Sequence, residues 1–377
     1  IMPSLVGSEM CIRDRCIITL SRVITLYTTH RIGRVFVMVY NYSITSTQKC
    51  QGVDGYSYRK ALSHRIAELY DRTAHLWQYA AKIRGCGDSI IVRRYEGGET
   101  EIAHALFCRS RLCPMCAWRR SLKAFGQLSD CMTYLDLKRQ LAIGKPYGYI
   151  LIGLTIRNCD PLDLPEIIDH LLESFARLRR TPEWKRVIRG AHRTLEVTYN
   201  PNTITMHPHL HIIAAVDPSY FKSRYYISQE KLTQLWQTAL KVAYVPVVDI
   251  RKVRITPERK DISEVTKYVT KATDWDKLDE SESVLSALHG ALHGRKLYAN
   301  YGVIREASRV LKQSDEDGDL LDVGELDSKI AKNIRKDLCS TLEAYTYIPA
   351  TGYVRIASAE LPPWQRMAWS ELLQNAT

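Results

Sequence analysis

The run Met206-His207-Pro208-His209-Leu210-His211-Ile212-Ile213 restricts the possible folds of this chain more than any other stretch. Residues two apart share one face of a strand, so His209 and His211 point one way while Leu210 and Ile212 point the other. That pattern suits a sheet with one face against a core and the other left for chemistry. Two neutral imidazoles converging on such a face are suited to a divalent cation. Taken alone, the alternation is equally that of polar residues on the solvent side of an amphipathic strand.

The flanking periodicity supplies the rest of a sheet. A helix is predicted over 119–141 and a strand over 147–157, opened by Pro146 and Gly148. Leu164, Ile167, Ile168, Leu171, Leu172, Phe175 and Leu178 give 162–180 a helical stripe that starts at Asp160-Pro161. Strands over 192–199 and 207–216 follow, joined by the turn sequence Asn200-Pro201-Asn202. A helix over 228–243, a strand over 245–253 and a helix over 263–273 complete the order β-α-β-β-α-β-α. That order predicts an α+β fold with a ferredoxin-like or RNA-recognition-like core, its antiparallel sheet covered by helices on one face and open on the other.

Strand parity brings in a third residue. Leu195, Val197 and Tyr199 form the apolar face of their strand, and Thr194, Glu196 and Thr198 the polar one. Paired with the histidine strand, Glu196 falls on the side of the two imidazoles. His209, His211 and Glu196 make a reasonable ligand set for Mg²⁺ or Mn²⁺, with positions left for phosphate oxygens. By parity alone, Glu196 is also an ordinary solvent-facing glutamate.

The ten cysteines are clustered, and no secretion signal accompanies them, which points to a reducing compartment, the cytoplasm, and to metal binding. Cys113 and Cys116 have the C-x2-C spacing of a tight knuckle that offers two thiolates to tetrahedral Zn²⁺, and Cys108 supplies a third. The fourth is Cys86, whose neighbours Gly85 and Gly87 let the backbone turn tightly, or else His104. Residues 102–129 hold no acidic side chain, while Arg109, Arg111, Arg119, Arg120 and Lys123 crowd the knuckle and the helix after it. These five are read as phosphate contacts, in keeping with a formal net charge of +12.

A last motif lies in residues 262–272. On a helix Glu264, Tyr268 and Lys271 form one stripe, and Ile262, Val265, Val269 and Ala272 form a separate apolar one. A tyrosinate there is placed to attack a phosphodiester polarised by a metal, with Lys271 supplying nearby charge. An amphipathic surface tyrosine is the plain alternative in a chain with twenty-two of them.

The organisation expected from these signals has four parts. Residues 1–37 read as a non-native leader, with Met38 as the start, followed by a zinc-binding module over 38–130. A catalytic domain spans 131–275 and a mainly helical tail 276–377. Within the tail, 290–308 mixes basic and aromatic residues, suited to DNA or to packing. Asp315 to Asp319 is an acidic linker, because its glycine is misplaced for a calcium loop. No segment reads as a membrane span, and no Walker motif is visible, so a helicase would be a separate partner.

Taken together these residues resemble the rolling-circle replication initiator (Rep) proteins of small plasmids, within the HUH endonuclease superfamily. The resemblance covers residues 58–304 and rests on Cys113-Pro-Met-Cys-Ala-Trp-Arg-Arg120, Leu154-Thr155, His207-Pro-His-Leu-His211, Tyr244-Val-Pro-Val-Val-Asp-Ile-Arg251 and Tyr268-Val-Thr-Lys271. It implies that Tyr268 nicks one strand of the plasmid origin and stays joined to the 5′ phosphate, leaving a 3′ hydroxyl that primes a host DNA polymerase. It also implies that Glu264 activates water at termination. Two other readings share the same residues: an HUH transposase or relaxase, and a non-catalytic zinc-containing nucleic-acid-binding protein.

Overall fold

The computed structural model describes residues 54–95, 100–253, 282–314, 320–321 and 340–361, and the elements below are numbered within them. The leader, the acidic linker and the helix expected to carry Glu264, Tyr268 and Lys271 lie outside those residues. No helix among the described residues is long and apolar enough to cross a membrane.

The first half begins with α1 (Asp54–Arg72) and α2 (Trp77–Arg84), then the hairpin β1 (Ser89–Tyr95) and β2 (Thr100–Ala105). The long helix α3 (Pro114–Ile143) opens with Pro114 at its first turn, where a missing N–H costs nothing, and ends at Gly144 in the left-handed region. Its 30 residues span about 45 Å, and the expected boundary at 130/131 falls inside it.

The second half alternates as its periodicity predicts. β3 (Gly148–Thr155) leads through a 3₁₀ turn (Pro161–Asp163) into α4 (Leu164–Arg180) and the short α5 (Pro182–Val187). Then come β4 (Ile188–Asn200), β5 (Thr205–Val216), α6 (Gln229–Leu240) and β6 (Val248–Lys252). The β4–β5 turn is set by Asn200, whose Oδ1 accepts the N–H of Asn202 at 3.0 Å. Ser228 caps α6 by accepting the N–H of Lys231 at 3.2 Å.

All pairings in the resulting five-stranded sheet are antiparallel, in the order β6-β3-β5-β4-β7, where β7 is Tyr298–Tyr301. Leu154, Leu195, Leu210 and Ile212 are fully buried on the face that α4 and α6 cover. The opposite face is not fully open, contrary to expectation. Leu128, Cys131, Met132 and Leu135 of α3 pack there on Tyr149, Leu151, Ile213 and Ala215, joined by Ile304 and Ala307 of α8 (Gly302–Val310). The physical reason is the apolar stripe of α3 at i, i+3, i+4 and i+7, which needs a partner as much as α4 does. Among the described residues, Gly153, Thr155, His209 and His211 lie outside that cluster and stay half-buried.

The tail is mixed, not mainly helical, among the described residues. α7 (Glu282–Leu292) and α8 are joined by β7, which adds to the sheet edge at β4. The hairpin β8 (Ser340–Ile348) and β9 (Gly352–Leu361) pairs with β1 in a second sheet of order β2-β1-β8-β9. β8 escaped recognition because its pattern is inverted: Glu343 and Tyr345 are the buried positions while Leu342 and Ala344 are half-exposed. Arg94, Arg355 and the Tyr345 hydroxyl all donate to the Glu343 carboxylate, so a charged residue sits where the period-2 rule expects an apolar one.

At the β7–α8 corner, Gly302 has φ +54°, and a Cβ there would lie 2.2 Å from the Arg189 carbonyl oxygen. Backbone cannot yield as a side chain end can. Gly302→Ala is therefore expected to destabilise the protein by about 2–5 kcal/mol, read as a lowered urea midpoint. An unchanged midpoint would show that this crossing is looser than the geometry requires.

Candidate functional site

Two clusters of ligand-type atoms stand out among the described residues. The first is on the sheet. In β5 the buried Met206, Pro208, Leu210 and Ile212 alternate with half-buried His207, His209 and His211. The register pairs His209 with Glu196 and His211 with Thr194, so strand parity and pairing place the carboxylate beside both rings.

Distances within this cluster are short. His211 Nε2 lies 2.9 Å from Glu196 Oε2, His209 Nε2 lies 3.4 Å from it, and the two Nε2 atoms are 3.1 Å apart. His209 Nδ1 lies 3.1 Å from the His207 carbonyl, which accepts only, so Nδ1 carries a proton there and Nε2 is the nitrogen that faces Glu196 and His211. Burial by itself raises the Glu196 carboxyl, but hydrogen bonds from His209 and His211 more than reverse this and hold it well below the usual carboxylate range.

These separations fit a metal. Two ligands at right angles on an octahedral ion with bonds near 2.1 Å lie about 3.0 Å apart, so the three atoms match one triangular face and leave the opposite face for substrate oxygens. His207 is not in the three-atom cluster; its Nδ1 is 2.8 Å from Asn158 Oδ1.

The second cluster joins Cys86, Cys108, Cys113 and Cys116. Cys86 Sγ and Cys108 Sγ lie 3.4 and 3.7 Å from Cys116 Sγ, and a tetrahedral zinc with Zn–S bonds near 2.3 Å sets its sulfurs about 3.8 Å apart. His104, the other candidate, sits on β2 outside this group. The N–H groups of Cys108 and Arg109 point at Cys86 Sγ and Cys116 Sγ, as donors to thiolates would. Gly87, at φ +66°, makes the turn after Cys86, and a Cβ there would press on the Tyr353 hydroxyl at 3.3 Å.

Two buried cations brace the knuckle, and sequence reasoning misassigned one and missed the other. Arg120 donates to the carbonyls of Arg109 and Ser110. Lys60, with no exposed surface, donates to the carbonyls of Arg84 and Cys86 and to Asp88 Oδ1 at 2.6 Å. Lys60 gave no local signal, because a lysine on an amphipathic helix reads as solvated.

The expected phosphate contacts need correction accordingly. Arg119, Arg120 and Lys123 are 3 %, 4 % and 2 % exposed. Arg119 holds the carbonyls of Leu320 and Leu321 and the Tyr56 hydroxyl. A guanidinium committed to buried carbonyls cannot reach a phosphate, so Arg119 and Arg120 are structural, and Lys123 is too buried to meet DNA. Arg109 is exposed and Arg111 half-buried, with Arg111 Nη2 donating to the Arg295 carbonyl.

Fold and clusters together describe an α+β protein with a histidine–carboxylate site on an antiparallel sheet and a four-cysteine centre at the head of α3. Residues 99–353 match the replication protein family Rep_1, and the chain belongs to that family. It is 33% identical over 284 residues to Protein rep of Streptococcus pneumoniae serotype 2 (strain D39 / NCTC 7466), covering 74% of this chain and 86% of that protein. It is 32% identical over 294 residues to Protein rep of Bacillus amyloliquefaciens, covering 72% and 83%. No solved structure matches.

Proposed function

We propose that this chain is a rolling-circle plasmid initiator that nicks single-stranded origin DNA through Tyr268. The convergence of Glu196, His209 and His211 on one partly open sheet face carries this reading. The strand order β6-β3-β5-β4, with α4 and α6 on the crossovers, supports a ferredoxin-like HUH core. Membership of a replication protein family supports the biological role.

Glu196, His209 and His211 would hold Mg²⁺ or Mn²⁺, which when bound would polarise and orient the scissile phosphate. Tyr268 would attack the phosphorus, the bond to the 3′ oxygen would break, and that oxygen would leave as the 3′ hydroxyl a host polymerase extends. The 5′ phosphate would remain on the tyrosine. Lys271 would offset charge on the phosphoryl oxygens, and Glu264 would take a proton from water at termination. Cys86, Cys108, Cys113 and Cys116 would hold structural Zn²⁺, and Arg109 and Arg111 would contact origin phosphates. Strand separation ahead of the polymerase falls to a host helicase.

The test is cleavage of supercoiled plasmid and labelled single-stranded origin DNA, with and without Mn²⁺ or Mg²⁺. The expected result is metal-dependent nicking with a covalent 5′ adduct that Tyr268→Phe removes outright while binding survives. Tight origin binding with no adduct under any metal would leave a non-catalytic DNA-binding protein instead.

A further inference from the structure

A cavity of about 340 Å³, within the size range of small-ligand sites, lies against the cysteine knuckle. Tyr79 and Lys82 of α2, Arg109 and Arg111 of the knuckle loop, and His289 and His293 at the end of α7 line it. Three rings gather on one wall: the centroids of Tyr79 and His289 are 4.5 Å apart and those of His289 and His293 5.3 Å. Tyr70 Oη, 2.8 Å from His289 Nδ1, fixes the middle ring. Lys82 and Arg109 are exposed at the rim, and no carboxylate lines the cavity among the described residues. Arg109 is in the left-handed region at φ 58°, held there while its N–H donates to Cys116 Sγ at 3.2 Å.

Clustered rings beside cations, with no carboxylate in the lining among the described residues, match the two halves of a nucleotide. Rings accept any base face, and cations take the phosphate. Place decides where the nucleotide comes from. From Gly294 on the cavity wall to Leu297 is three residues, at most about 11 Å. The Leu297 carbonyl accepts the N–H of Leu195 at 2.7 Å, beside Glu196.

We propose that this cavity binds one nucleotide of the single strand that flanks the cleavage point, its base against the Tyr79–His289–His293 rings and its phosphate on Lys82 and Arg109. It rests on the nicking reading for the source of the strand, and it gives the knuckle a share in gripping DNA.

The probe is a fluorescent oligothymidylate of about 12 nucleotides, a length within the usual span of single-strand sites, titrated into the full chain by anisotropy. His293→Ala and Lys82→Ala both change exposed side chains, and circular dichroism confirms that each variant folds. His293→Ala is expected to weaken binding by about 5- to 100-fold, the loss typical of one base–aromatic stack. Lys82→Ala is expected to flatten the slope of log affinity against log salt by about 0.7, the share of one phosphate on a single strand. Wild-type affinity and slope in both variants would overturn the proposal. Competition by thymidine monophosphate as effective as by the oligomer would overturn the strand assignment in favour of a free nucleotide. Loss of affinity in the variants, alongside a wild-type chain that forms no adduct, would sustain the pocket while removing the nicking reading.

Discussion

His211→Ala is expected to lower metal-dependent origin cleavage by at least about 10³-fold, close to 4 kcal/mol of barrier, with folding largely retained. Of the two imidazoles, His211 has its Nε2 nearer to Glu196 Oε2, so its loss removes one corner of the triangle and a partner of a buried carboxylate. The ring is half-buried and faces the partly open end of the sheet, so truncation leaves no void in the Leu210–Ile212 core behind it. Stability should fall by only about 1–3 kcal/mol, the usual cost of a lost buried hydrogen bond. Glu196→Gln keeps the shape and removes the charge, and should lose activity comparably while melting close to the wild type. The check is single-turnover cleavage at several Mn²⁺ concentrations beside a thermal melt. Activity within about ten-fold of wild type in His211→Ala would sink the assignment of this triangle as the catalytic metal site.

The larger effect on stability is expected at the cysteines. If the four cysteines hold zinc as proposed, Cys113→Ser, or removal of metal by a strong chelator, should cost on the order of 10 kcal/mol, the scale of structural zinc centres. That rivals the whole stability of a typical domain. Cys113 is fully buried at the head of α3, flanked by the fully buried Leu112 and Met115. Without metal, four thiol groups are packed against one another. Because thiolates bind and thiols do not, metal should also leave as the pH falls. Native mass spectrometry should count one zinc per chain, absent from Cys113→Ser, and near-ultraviolet dichroism should collapse with it. A chain that purifies without metal and melts identically in chelator would refute the zinc centre.

How much of this was readable in advance depends on whether the signal is local. Glu196 beside His209 follows from strand parity, since each strand carries its own period and the turn at Asn200 limits the register. Cys86 was nominated by the glycines around it. Lys60, Arg119, Arg120 and Lys123 could not be read, because burial of a charged side chain on a helix depends on tertiary packing that periodicity does not name: Arg119 answers carbonyls some 200 residues away. Glu343 hid a strand for the same reason, its burial resting on Arg94 and Arg355. The second cover on the sheet was half legible: the stripe on α3 announced a partner, but periodicity does not say which face of which sheet.

That helix has a further consequence. One unbroken rod begins at the cysteine knuckle and ends against the sheet that carries Glu196, His209 and His211. Each residue of a helix advances about 1.5 Å and turns the chain by about 100°. The helix therefore sets the angular phase between the two clusters as a keyed shaft sets two wheels, and every single-residue insertion or deletion along it would dial the knuckle to a new bearing. Chimaeras that exchange the knuckle between relatives should keep the residue count of α3 and place their joints outside it.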